Sequence, residues 1–366
     1  MKRRVFFTIA ICSLLILASC NLPASPTPVE PSSQTALPTP SPAPSEPPSP
    51  PQPPPVELPE LIEEGQQSTE LITRNYAWAY GGGQWTWELQ IPKSLYDYYQ
   101  GIPRPPTSNY SVYVTHPLDD TFIELLASKF EKVAQEEGLS DLQKVEFATS
   151  FVQSLPYTSD SVTTPYDEYP RYPVETLVDS GGDCEDTSIL MAALLNQLGY
   201  GVVLIIFPGV HCAVGVLGGE GIYGSYFNHN GGKYFYLETT DTGWGIGMIP
   251  EEYEDTKANI FDMVPTPILT HTWSATGKGN VVELEVTVQN LGSAAAYDVY
   301  VLAGFDAGGS KSWNAEESGL FQVSVSRQVT VKLNLRVPLG EHTRLVIQIV
   351  DDGYAVDQSF SEWFDT

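Results

Sequence analysis

The sequence predicts an α+β domain followed by an all-β sandwich, both hung on a proline-rich stalk. Three observations predict it. Helical and strand periodicities alternate through residues 61–264, strand periodicity alone remains over residues 265–366, and 16 of the 30 prolines fall between Asn21 and Glu60. No packed domain has the composition of that last stretch.

Lys2-Arg3-Arg4 precedes an apolar run from Val5 to Leu17, which ends in Leu17-Ala18-Ser19-Cys20. A basic start, an apolar stretch short for a membrane span and small residues before a cut site describe a secretory signal over residues 1–20. The cysteine in the last place resembles the lipobox of bacterial-type lipoproteins. That resemblance implies a lipidated Cys20 as the first mature residue and a chain held at the extracellular face of a membrane. An uncleaved N-terminal anchor would leave the chain on the same side. Residues 21–60 read as an extended, disordered linker with a reach on the order of 100 Å.

Charge narrows the function classes. Acids outnumber bases 45 to 18, for a formal net charge of −27. Such a surface repels phosphate backbones, so nucleic acid is not an expected partner.

Within residues 61–264, Ile72–Tyr80 and Gln84–Ile91 flank Gly81-Gly82-Gly83, the pattern of a β-hairpin with Trp85, Trp87, Leu89 and Ile91 on one face. Phe122, Leu125, Leu126, Phe130 and Val133 recur at helical spacing after Asp119-Asp120. A second helix opens with the capping-box pattern Ser140-Asp141-Leu142-Gln143 and ends at Pro156. A third follows Gly181-Gly182-Asp183, placing Cys184 in its first turn and closing at Gly199. Free N–H groups and the helix dipole favour an anion there, so a lowered Cys184 thiol pKa is expected.

Val202–Phe207 is an apolar strand, and Val210–Leu217 a second one. Alternation puts His211, Ala213 and Gly215 on one face and Cys212 with the valines on the other. A Cys184–Cys212 disulfide would have to reach around that strand. His229 lies in a polar turn, where its ring would be poorly positioned. Lys233–Glu238 carries Tyr234, Tyr236 and Glu238 on one face, beside the His211 strand. Nucleophile, base and orienting carboxylate then arrive as Cys184, His211 and Glu238. Each also has a structural reading, as an inert thiol, a core histidine and a surface acid.

Gly182-Asp183-Cys184-Glu185-Asp186, Pro208-Gly209-Val210-His211 and Tyr236-Leu237-Glu238-Thr239-Thr240 together resemble the transglutaminase-like superfamily over residues 140–255. That resemblance implies a papain-like/transglutaminase-like core with Cys184 as nucleophile, His211 as base and Glu238 as third member. The family's third residue is usually Asp, so Asp241 stands as the alternative. It implies amide hydrolysis or acyl transfer on an extracellular protein or peptide through a thioester, with no cofactor. No His/Cys cluster has zinc spacing, so no metal is expected.

Residues 265–366 show clean alternation in Val282–Val288 and further short strands separated by turns. Val288-Gln289-Asn290-Leu291-Gly292 resembles immunoglobulin-like modules of prokaryotic surface proteins. His271 and His342 are isolated and draw no chemistry. The rival reading of the whole chain is a non-catalytic surface binding or adhesion module, with Trp85, Trp87, Tyr96, Tyr98 and Tyr99 as ligand platform and a vestigial triad.

Overall fold

The computed structural model describes residues 70–366 apart from 166–167, 220 and 310. The signal segment with Cys20 and the linker over 21–60 lie outside the described residues.

A hairpin of β1 (Leu71–Tyr80) and β2 (Gly83–Pro92) opens the fold. Seven helices follow: α1 (Lys93–Gly101), α2 (Ser111–Val114), α3 (Asp120–Glu137), α4 (Asp141–Gln153), α5 (Asp160–Thr163), α6 (Pro173–Asp179) and α7 (Cys184–Gln197). Next come β3 (Val202–Phe207), β4 (His211–Leu217), β5 (Tyr226–His229), β6 (Gly232–Leu237) and β7 (Asn259–Asp262), in the antiparallel order β5-β6-β4-β3-β7. All residues of α7 from Glu185 to Leu195 are buried. A helix apolar on every side can be stable only when wrapped. Strands β3 and β4 cover one side, and α2, α3, α4 and α6 the others.

The hairpin's apolar face packs as its alternation requires, with the Trp85 ring 4.8 Å from Phe147 and Trp87 4.7 Å from Phe130. Ser140 and Gln143 form the expected capping box on α4. Asp119 precedes α3 without capping it by side chain. It is buried instead, accepting a 3.1 Å bond from the Tyr99 hydroxyl, while its Oδ2 has no hydrogen-bond partner.

The C-terminal strands are β8 (Leu269–Lys278), β9 (Val281–Asn290), β10 (Ala296–Asp306), β11 (Ser312–Glu317), β12 (Phe321–Val323), β13 (Gln328–Arg336), β14 (His342–Thr343), β15 (Leu345–Asp351), β16 (Tyr354–Phe360) and β17 (Phe364–Asp365). Sheets β13-β9-β8 and β11-β10-β15-β16 share one core, in which Val286 and Val288 meet Val299, Val301, Ile347 and Ile349. His271 joins the edge strands of the two sheets, its Nδ1 2.6 Å from Asp357 Oδ2 and its Nε2 2.6 Å from Ser359 Oγ. The helical region docks on these sheets through Thr115 Oγ1 to Ser293 Oγ (2.7 Å) and His116 Nε2 to Ser326 Oγ (3.3 Å).

The expected fold class, an α+β papain-like/transglutaminase-like core followed by an immunoglobulin-like sandwich, is overturned. About 40% of the described residues are strand against about 25% helix, in several antiparallel sheets, so the described part is mostly β. Part of the reason lies in β11, whose residues Ser312–Glu317 are polar and mostly exposed and carry no strand pattern of their own. Its ladder bonds to β10 make it a strand despite that composition. The helices are also modest, since α2 and α5 are four residues each.

Burial pushes the Asp119 carboxyl up to about 8, against a smaller lowering by the Tyr99 bond. A carboxyl raised on folding contributes stability below its unfolded value, and that contribution is lost as pH rises through the folded one. The thermal midpoint should therefore fall as pH rises from about 5 to about 9. Asp119→Asn should make the fall shallower, as checked by calorimetry across that range.

Candidate active site

Two backbone features bring the site together. Gly182 lies so close to the start of α7 that a Cβ there would fall 2.5 Å from Asp186 Cβ, so the approach requires glycine. The side chain of Asp186 accepts from Asp183 N at 3.3 Å, which fixes the first turn and with it Cys184. Gly215 plays the same part in β4, where a Cβ would meet Val203 Cγ2 at 2.6 Å. Ala213 packs with Val203, Ile205, Phe207 and Tyr236 in a small core on that face of the sheet.

Threonines and a serine then lock α7 to the sheet. Thr187 Oγ1 and Ser188 Oγ lie 2.9 and 3.0 Å from Thr239 Oγ1, and Ser188 Oγ also donates to the Cys212 carbonyl at 3.0 Å. Cys184 is half-buried, and a hydrogen bond from the Cys212 backbone reaches it. Its sulfur therefore lies against the residue that follows His211.

Glu238, not Asp241, meets the histidine. His211 Nε2 lies 3.0 Å from Glu238 Oε2, and the two side chains are 8% and 4% exposed, so water competes little for the bond. Tyr236 donates its hydroxyl to the same oxygen at 2.7 Å. Glu238 Oε1 accepts from Thr239 N (3.0 Å), Thr240 N (3.1 Å) and Thr240 Oγ1 (2.8 Å). Burial alone would raise this carboxyl. The bonds from His211, Tyr236 and Thr240 outweigh it and hold the group at about 2. Tyr253 stacks on the imidazole at 4.8 Å and 11°, fixing the ring plane from the side. Asp241 is exposed, and its Oδ1 accepts from Thr242 N. His229 pairs with Asp262 at 2.9 Å.

The expected lowering of the Cys184 thiol is overturned. Burial pushes it well up, the Glu185 carboxylate adds to the rise, and Cys212 contributes further. Glu185 Oε2 accepts the thiol hydrogen at 3.3 Å. A helix N-terminus is worth well under the penalty of placing a second negative charge beside a buried carboxylate. Cys184 and Cys212 are both free thiols, so the disulfide alternative falls away.

Sequence reasoning missed the acids around Cys184. Arg171 is 1% exposed and serves three of them, with Asp160 at 2.8 Å, Asp179 at 3.1 Å and Asp186 at 2.5 Å. The run Asp183-Cys184-Glu185-Asp186 was the available signal, because three acids in a buried helix start demand a cation somewhere. A cleft of about 1020 Å³ lies beyond Arg171, walled by Arg74, Tyr96, Arg104, Glu168 and Tyr169 among others. Cys184 is not one of its walls. Tyr99 is fully buried, and Trp85 and Trp87 pack inward, so these aromatics serve the core.

Glu238→Ala orphans several buried donors and should cost about 3 kcal/mol, whereas Asp241→Ala should change stability by under about 0.5 kcal/mol. A carboxyl lowered on folding contributes above its unfolded value of 4.5, and the contribution is lost as pH falls towards about 2. The gap between wild type and Glu238→Ala in urea denaturation should narrow over that interval.

No family model matches the chain, and no curated protein matches it. Among solved structures it is similar to a CARDB domain from Pyrococcus furiosus (15% identity over 26% of this chain and 87% of that one, TM-score 0.20). It is also similar to a beta-glucosidase from Kluyveromyces marxianus (14% identity, 26% of this chain and 15% of that one, TM-score 0.18). The sporulation control protein Spo0M of Bacillus subtilis shows 10% identity over 26% of this chain and 47% of its own, with a TM-score of 0.19.

Proposed function

We propose that this chain is a cysteine-dependent amide hydrolase or acyl transferase acting on extracellular protein or peptide. The observation that carries the reading is the His211–Glu238 pair, in which a carboxylate saturated with donors holds one imidazole nitrogen. With Nε2 engaged, Nδ1 is the nitrogen left to act as base. The motif resemblance to transglutaminase-like proteins supports the same assignment of Cys184, His211 and Glu238. The N-terminal address supports display at the outer face of a membrane through lipidated Cys20.

The chemistry balances as follows. His211 takes the Cys184 proton as sulfur attacks the amide carbonyl, and backbone N–H groups at the start of α7 are the nearest oxyanion donors. The C–N bond breaks, the imidazolium returns its proton to the leaving amine, and a thioester remains. Water or a second amine then attacks the thioester, giving up a proton to His211, which returns it to the departing sulfur. Because burial and Glu185 keep the resting thiol neutral, proton transfer must accompany attack rather than precede it.

That neutral thiol is also the one observation favouring the second reading, a non-catalytic binding or adhesion module. Full-length protein incubated with a glutamine-bearing protein and hydroxylamine separates the two. The enzyme reading expects hydroxamate formation, or new peptide termini, that Cys184→Ser reduces at least about 10³-fold with an unchanged circular-dichroism spectrum. Equal product from wild type and Cys184→Ser, or none from either while both bind the protein equally, would falsify it.

A further inference from the structure

Away from Cys184, the C-terminal sheets bring together a serine, a histidine and a carboxylate. Asp357 and Ser359 sit two residues apart on β16, so both side chains turn to the same, less exposed face of their sheet. His271, on β8 of the other sheet, lies between them. Its Nδ1 is 2.6 Å from Asp357 Oδ2, and its Nε2 is 2.6 Å from Ser359 Oγ. The imidazole is only 1% exposed, so water competes little for either bond. Gln358 N donates to Asp357 Oδ1 at 2.8 Å, which fixes the carboxylate. Ser359 itself is half-buried. A carboxylate only accepts, so the imidazole proton belongs on Nδ1, and the Nε2 lone pair receives the Ser359 hydroxyl. That is the order of roles by which a serine nucleophile is recognised, whatever fold carries it. A staple between two sheets would need only one of these bonds.

We infer that Ser359, His271 and Asp357 form a second nucleophilic site, which cleaves small uncharged esters at the edge of the C-terminal sandwich. An oxyanion donor is at hand. β16 ends its sheet among the described residues, and Ser361 N bonds to Leu345 O. Alternation along that ladder makes Ser359 the next residue bonded to β15 and turns the Phe360 N–H away from it. The N–H after the nucleophile serves as an oxyanion donor in other serine hydrolases. With one such donor, an ester fits better than an amide, because an alcohol leaves with less help than an amine. The −27 charge of the chain disfavours anionic acyl groups. In the first step Ser359 Oγ bonds to the acyl carbon as its proton passes to His271 Nε2, and Asp357 stabilises the imidazolium. The ester C–O bond breaks, and the departing alkoxide takes that proton. Water then attacks the acyl-serine and gives a proton to His271, which returns it to Ser359 Oγ as the carboxylic acid leaves.

The test treats full-length protein with an alkyl fluorophosphonate and locates the adduct by peptide mass spectrometry. The site predicts a single stoichiometric adduct on Ser359 that Ser359→Ala abolishes. Its rate should climb with pH as the imidazole loses its proton. His271→Gln should slow labelling at least about 10²-fold and flatten that profile, and Asp357→Asn should slow it by a similar factor. Circular dichroism checks that each variant is folded, and Asp357→Asn, which keeps the side-chain shape, serves if His271→Gln is not. Because the adduct is assigned to a residue, the result is independent of whether Cys184 is reactive. Wild type that gains no adduct on Ser359 overturns the inference, and the three residues then only close the sandwich. Labelling of Ser359 at an equal rate in the folded His271 or Asp357 variant overturns it as well, since the serine would then react unaided.

Discussion

Everything in the N-terminal half answers to one constraint, the burial of α7 on all sides. A helix with no polar face offers no choice of orientation, so its neighbours must close around it. The sheet takes one side, and the remaining helices with the Trp-rich hairpin behind them take the rest. Its first turn cannot be wrapped in the same way, because the free N–H groups there need acceptors. That is where the chain spends its acids, its threonines and its one reachable thiol.

The same demand shapes the electrostatics. Glu238 and Glu185 are both nearly inaccessible, yet they are treated oppositely. Glu238 is surrounded by hydroxyls, amides and an imidazole, which favour its charged form. Glu185 is disfavoured as a charge by its burial and by Asp186, against smaller help from bonds to Asp183 and the backbone. The Cys184 sulfur is held neutral by burial and Glu185, while the His211 ring is kept oriented by Glu238. The difference comes from hydrogen-bond donors rather than from depth of burial.

Much of this arrangement was legible in the sequence, and the reasons for the rest are physical. The hairpin and α7 were readable because their apolar residues recur at unambiguous periods. The choice of Glu238 over Asp241 followed from strand alternation, which puts Tyr236 and Glu238 on one face. The fold class was misjudged because a strand such as β11 is polar and exposed and owes its conformation to its ladder with β10 rather than to an apolar period. The Cys184 thiol was misjudged because a helix-start argument is local, whereas burial and the rotamer of Glu185 are not. Arg171 is an ordinary residue in a Tyr- and Pro-rich loop until three elements converge on it.

The hairpin that shields the core also decides how the fold would yield to a pull. Leu71 pairs with Pro92 at the open end of the β1–β2 ladder, and Lys93 N donates to Glu70 O at 3.0 Å. A force entering at residue 70 therefore loads the rungs one after another, as in opening a zipper, rather than sharing the load among them. The peel meets its first strong obstacles where Arg74 and Tyr76 reach across to the carbonyls of Val178 and Leu177. Those two bonds tie the peeling strand to α6, whose Asp179 is held by Arg171. Tension at the N-terminus would thus be delivered towards the charged cluster beside Cys184 before it reached the C-terminal sheets.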